Sequence, residues 1–238
     1  MTRFLALLLL LAPGLRCAYA GAPEALRTWR AGERVSEQEV AAYGIDRCFA
    51  CCEIDDATFG RMRGKSYKAE CTLPRSELRY LKLLHRNLAG DILLGEIICN
   101  EAISGDLLEI FRTLYDAAYP IERMVLIDEY NAQDGPSMRA NNSSAFNFRF
   151  IAGTAKLSNH SRGMAVDINP LYNPCVRVRN GRRLVDPAQG APYADRTRDF
   201  PYKIDEDDLC CREFTRHGFT WGGHWKSLKD YQHFEKRQ

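Results

Sequence analysis

Five side chains in the second half of the sequence are of types that bind metals, move protons or hold developing negative charge. His160 and Asp167 stand seven positions apart in "LSNHSRGMAVDINP", with Gly163 between them, and His233 lies in "KDYQHFE". Two nitrogens and one oxygen match the donor number of a catalytic zinc, which takes three protein ligands and leaves its fourth position to water. Gly163 permits the tight turn that would let the first two reach one ion. A metal alone does not complete a hydrolytic site. Asp230, three residues before His233, is the candidate general base. Arg149, at the end of a long polar loop, is the candidate cation for charge building on a carbonyl oxygen. Each residue also has a plain reading. His160 could be a loop histidine satisfied by hydrogen bonds, Asp167 and Asp230 could cap turns, and Arg149 could be a surface charge or an ion-pair partner.

The elements that must position them can be read from periodicity. "GMAVDIN" reads as a strand in which Val166 and Ile168 face the core while Ala165, Asp167 and Asn169 share the other side. "YQHFE" reads as a second strand, with His233 and Phe234 on opposite faces. Upstream, "SEQEVAAYG" predicts a short helix with a Ser36/Glu39 capping box and a stop at Gly44. "LRYLKLLH" and "ILLGEIICN" flank the Gly-containing turn "RNLAGD" and predict a hairpin. "SGDLLEIFRTLYDAAYP" predicts a helix capped by Ser104, with Leu107, Phe111, Leu114 and Ala118 on its apolar face. "RMVLIDEY" reads as a buried strand, residues 171–203 as irregular, and "DEDDLCCREFTRHG" as a helix stopped at Gly218. Helices and antiparallel strands in separate runs make the class α+β.

Of 238 residues, the first twenty read as a secretory signal peptide: Arg3, an apolar run from Phe4 to Ala12, and the small-x-small pattern Ala18-Tyr19-Ala20. No later stretch is long and apolar enough for a membrane span. Removal of residues 1–20 leaves 31 basic against 31 acidic residues, a balance that offers no electrostatic case for nucleic acid or an anionic membrane. Eight cysteines would remain, at 48, 51, 52, 71, 99, 175, 210 and 211. Their even number in an exported chain favours disulfides over zinc binding by the tight C-x-x-C-C at 48–52. An exported chain would work in the periplasm or outside the cell.

The motifs resemble those of the zinc D-alanyl-D-alanine carboxypeptidases and L-alanyl-D-glutamate endopeptidases, bacterial cell-wall peptidases of the hedgehog/DD-peptidase fold. The S-x-H-x-x-G-x-A-x-D motif is matched at Ser158, His160, Gly163, Ala165 and Asp167, and the acidic-x-x-H motif at Asp230 and His233. Trp221, Gly222, Gly223 and Trp225 match the tryptophan-glycine stretch before it. The resemblance implies a small antiparallel sheet with flanking helices over residues 77–238, preceded by a cysteine-rich extension over 21–76. It implies Zn2+ on His160, Asp167 and His233, Asp230 as base, and Arg149 on the oxyanion or a substrate carboxylate. The implied function is that of a metallopeptidase acting on peptidoglycan stem peptides or muropeptides. Two positions depart from the family pattern. Asn131 stands where many relatives carry an arginine, which leaves that job to Arg149 or Arg139. His224 stands where an acidic residue is expected, as a neutral replacement, a fourth nitrogen near the metal or a substrate contact. The hedgehog signalling domain is similar in fold and metal site yet binds rather than cleaves, so a non-catalytic zinc-containing binding protein is the alternative.

Overall fold

The computed structural model describes residues 23–151 and 153–237; the signal peptide expected over residues 1–20 lies outside them. In chain order the first half forms α1 (Glu24–Thr28), β1 (Arg34–Val35), α2 (Glu37–Tyr43), β2 (Ala50–Glu53), α3 (Asp56–Met62), β3 (Leu78–Arg86), β4 (Ile92–Asn100) and α4 (Glu101–Asp116). The second half adds α5 (Asp134–Arg139), β5 (Ala165–Asp167), β6 (Cys175–Arg179), β7 (Arg182–Asp186), α6 (Leu209–Arg216), β8 (Thr220–Trp221), β9 (Lys229–Asp230) and β10 (His233–Glu235). The architecture is α+β, with small antiparallel sheets and flanking helices.

A four-stranded sheet in the order β1-β4-β3-β2 forms the middle layer. Strands β3 and β4 are apolar on both faces, and period-two alternation divides them between two cores. Leu81, Leu83, Ile97 and Cys99 face α4, α6 and the strands that carry the candidate site. Leu78, Tyr80, Leu84, Ile92, Leu94 and Ile98 face the N-terminal segment, where Leu26, Trp29, Val40, Cys48 and Met62 meet them. Residues 23–76 therefore cover much of one face of the sheet, together with Leu126, Phe146 and Phe148, and β1 and β2 form its two edges. An ion pair to a buried carboxylate strengthens that contact: the partly exposed Arg61 of α3 forks onto Glu96 in β4, which also accepts from Tyr80 Oη at 2.8 Å.

Local chemistry explains the element ends. Ser36 and Glu39 form the expected capping box on α2. The β3–β4 hairpin closes through "RNLAGD", with Gly90 at φ +84°. Helix α4 begins at Glu101, four residues before the expected start, because the Asn100 side chain accepts from Ala102 N–H at 2.9 Å. Ser104 lies inside the helix and donates to Glu101 O.

The strand expected over 123–130 does not form. Its backbone finds side-chain partners instead: Asn142 Oδ1 accepts from Val125 N–H and Asn142 Nδ2 donates to Val125 O. Ile127–Tyr130 then coil into a 3-10 turn ended by Asn131 in the left-handed region at φ 53°. Residues 171–203, expected to be irregular, contain the β6–β7 hairpin, whose two-residue turn is Asn180-Gly181, both at positive φ. That dipeptide is the preferred one for a tight hairpin turn.

No disulfide joins the eight described cysteines. Cys48, Cys99, Cys210 and Cys211 pack into the two cores as small apolar side chains. The N-terminal segment is tied to the rest by strand pairing and apolar contact. Among the described residues, no helix is long and apolar enough to cross a membrane.

Candidate metal centre

His160 sits in a 3-10 turn, Asn159–Arg162, whose start is capped by Ser158 Oγ accepting from His160 N–H. Gly163 ends the turn at φ +66°, and a Cβ there would lie 2.5 Å from Asn100 N. A side chain at 163 would thus both strain the backbone and push the His160 turn off the end of β4. Asp167 closes β5, where Ser144 and Asp167 exchange two backbone hydrogen bonds, 2.8 and 3.0 Å. His233 opens β10 as the direct register partner of Asp167.

These elements bring the three side chains together. His233 Nδ1 lies 3.0 Å from Asp167 Oδ1 and 3.2 Å from His160 Nε2, and His160 Nε2 lies 3.3 Å from Asp167 Oδ2. One donor atom from each falls within 4.8 Å of the others, a spacing that could hold a single metal ion. The outward nitrogens are also engaged. His160 Nδ1 donates to Ala145 O at 2.6 Å, and His233 Nε2 lies 3.1 Å from Glu235 Oε2. Outer partners of this kind set the tautomer and ring angle of metal-binding histidines. Glu235 is itself held by Asn159 Nδ2 at 2.7 Å. A ring of contacts thus runs from the His160 turn through Asn159 and Glu235 back to His233.

The electrostatics favour a cation. Burial works to raise the Asp167 carboxyl, but His160 and His233 outweigh it and hold it well below the usual carboxylate range. Burial works to lower His233, but Asp167 and Glu235 overcome it and push the imidazole up to about 10. Burial pushes Asp230 up to about 6, with His233 pulling it down and Asp167 pushing it further up. Two imidazoles and an oxygen donor fit zinc, with ring nitrogens aimed inward and their other edges tied.

Asp230, the three donors and Arg149 all line one cavity of about 260 Å³. The glycines of "WGGHW" make room for the aspartate: a Cβ at Gly222 would lie 2.5 Å from Asp230 O. Arg149 lines the cavity beside Asp134, with its Nε 2.5 Å from Asp134 Oδ2, a contact close in distance but without hydrogen-bond alignment. Arg139 does not line the cavity. His224 does not line it either. It is half exposed, faces Glu206 at 3.6 Å and abuts Trp221, which removes the reading of a fourth nitrogen at the metal. Trp221 is buried and donates to Tyr231 O, whereas Trp225 lines the cavity with its ring centroid 5.1 Å from that of His233.

Residues 152–236 match the family described as D-alanyl-D-alanine carboxypeptidase. The match supports a place for this segment in the zinc DD-peptidase family. No curated protein and no solved structure shows significant similarity to the chain. The matched segment contains all three donors and Asp230 but not Arg149, and the match supports a peptidase role.

Sequence reasoning missed four residues at this site: Glu235, Asn159, Asp134 and Cys175. Glu235 was the most accessible of them, since residues i and i+2 on a strand share a face and "HFE" places a carboxylate beside His233. Cys175 faces Asp230 in register across β6 and β9. Burial first, and then that carboxylate, pushes its thiol up.

Proposed function

We propose that the chain is an exported zinc metallopeptidase of hedgehog/DD-peptidase fold that hydrolyses peptide bonds in peptidoglycan stem peptides. The observation that supports it best is Asp230: a carboxylate with a raised pKa opens on the same cavity as the His160, Asp167 and His233 donors. A binding-only site needs three donors but has no use for a base.

His160, Asp167 and His233 would hold the ion. Bound there, zinc supplies Lewis acidity that acidifies water and polarises a carbonyl. Asp230 takes the proton of the attacking water and returns it to the leaving amine, a task suited to a carboxyl pushed up to about 6. Arg149 balances negative charge on the substrate, either at the carbonyl oxygen or at a carboxylate. To do so it turns from Asp134, and the misaligned Nε contact makes that exchange easier than breaking a directed bond. Trp225 covers one side of His233 and keeps bulk water from that imidazole.

The test is mass spectrometry of defined muropeptides after incubation with zinc-loaded chain, beside an Asp230→Asn control. A mass loss confined to the unmutated chain supports the reading and names the bond. Zinc bound in both samples without cleavage in either overturns it and leaves the binding protein.

A further inference from the structure

The β6–β7 hairpin has no role in the chemistry above, yet it forms a wall of the cavity. Register places its residues relative to Asp230. Cys175 is the Cα partner of both Asp230 in β9 and Asp186 in β7, Arg177 of Leu184, and Arg179 of Arg182. Residues directly opposite in an antiparallel pair share a face, as do alternate residues along a strand. Cys175, Asp186, Arg177, Leu184, Arg179 and Arg182 therefore occupy one face of the hairpin. Cys175, Asp186 and Arg177 line the cavity, so this is the face turned to the site.

Along that face the charge changes with distance from the base. Level with Asp230 stand Cys175 and the carboxylate of Asp186. One step outward, about 7 Å along the strand, stands Arg177. A second step of about the same length reaches Arg179 and Arg182 at the hairpin tip. The side chains of these three arginines make no ion pair or hydrogen bond among the described residues, although Asp186 shares their face. Several other arginines among the described residues are spoken for: Arg61, Arg75, Arg79, Arg86, Arg112 and Arg196 each hold a carboxylate or carbonyl. Three guanidiniums left without partners, in file and leading out of a catalytic cavity, are placed to take anionic groups.

We propose that the β6–β7 hairpin is a substrate-reading wall, with Arg177 binding a free side carboxylate of the peptide about two residues from the cleaved bond. Two residues of extended peptide span about 7 Å, the offset of Arg177 from Asp230 along the sheet. Arg179 and Arg182 extend the same preference to more distant negative charge, and being more exposed they contribute less at physiological salt. The inference rests on the peptidase reading for its substrate class, and its test separates the two.

Two stem pentapeptides serve as probes, identical except that the side carboxyls of one are converted to carboxamides. Binding is measured by fluorescence anisotropy on the zinc-loaded Asp230→Asn chain, with and without Arg177→Gln. Cleavage is measured with Asp230 intact. The parent is expected to favour the carboxylate peptide by about tenfold or more, the scale of one charge-assisted hydrogen bond. Arg177→Gln should bring the ratio close to one, and Arg177→Lys should restore part of it because the charge returns without the planar fork. In cleavage the preference should appear in KM more than in kcat. Unchanged zinc content in the Arg177 variants shows that the site has folded.

A parent without preference, or a preference that survives Arg177→Gln, overturns the proposal even if both peptides are cleaved. Selective binding through Arg177 without cleavage by the parent supports the proposal and overturns the peptidase reading. Neither binding nor cleavage of either peptide overturns both.

Discussion

Glu235 stands two residues beyond His233 on the same strand, and its Oε2 lies 3.1 Å from the Nε2 of that imidazole. The ring is thereby held with Nδ1 turned inward, toward Asp167 and His160. The same carboxylate oxygen accepts from Asn159, the residue next to His160. One side chain therefore sets the angle of one candidate metal donor and steadies the turn that carries another.

Replacement of Glu235 by Gln keeps the shape but gives His233 Nε2 a weaker acceptor. Zinc affinity is expected to fall roughly 10- to 100-fold, the usual cost of losing an outer-shell partner. Competition against a chromophoric chelator measures it. An unchanged affinity would mean that Glu235 does not orient His233.

Zinc and a proton should compete for His233. The imidazole is pushed up to about 10, so without metal it is protonated at neutral pH, and a ligand nitrogen must lose that proton. Apparent zinc affinity should therefore rise with pH, about tenfold per unit between pH 7 and 9. A flat profile across that range would show that no proton leaves.

Asp230→Asn removes the proton acceptor at nearly constant size. Turnover is expected to fall by roughly a hundredfold or more, with zinc content unchanged. In the parent, Asp230 works only when ionised, so kcat/KM should drop as pH falls through its pKa. Burial sets that near 6 in the absence of metal, and a nearby cation moves the limb to lower pH. Activity that persists undiminished in the variant would take Asp230 out of the chemistry.

Arg61→Ala tests the tie between the N-terminal segment and the central sheet. It leaves the buried Glu96 carboxylate without its cation, and the expected cost is about 3 kcal/mol, at the low end for such losses because Arg61 is partly open to water. Denaturant unfolding measures this. A double replacement, Arg61→Met with Glu96→Leu, should recover much of the stability, since the desolvation of both charges disappears.

The three candidate metal donors were legible as a group because two simple periodicities agreed. Alternation put Asp167 and His233 on polar positions of strands, and Gly163 marked the turn that His160 needed. What the sequence concealed was mostly pairing. Nothing in "NFRF" says that Arg149 meets Asp134, and nothing in "RMVLIDEY" says that Asn142 will occupy its backbone. The β6–β7 hairpin was hidden for another reason. Its Asn180-Gly181 turn is a strong signal, but the surrounding density of proline, glycine and arginine reads as irregular chain. Helix α4 began early because Asn100, the last residue of a strand, also serves as its cap.

Strand β1 pairs with β4, Arg34 against Leu93 and Val35 against Ile92. During synthesis the partner is not made until nearly sixty residues later, which at 5–20 residues per second is a wait of roughly 3–12 seconds. Until then Leu26, Trp29 and Val40, joined by Met62 once it is made, have no complete sheet to cover, and their sticky surface is open to other nascent chains. The topology thus makes the young polypeptide a natural client for a holding chaperone until its hairpin arrives.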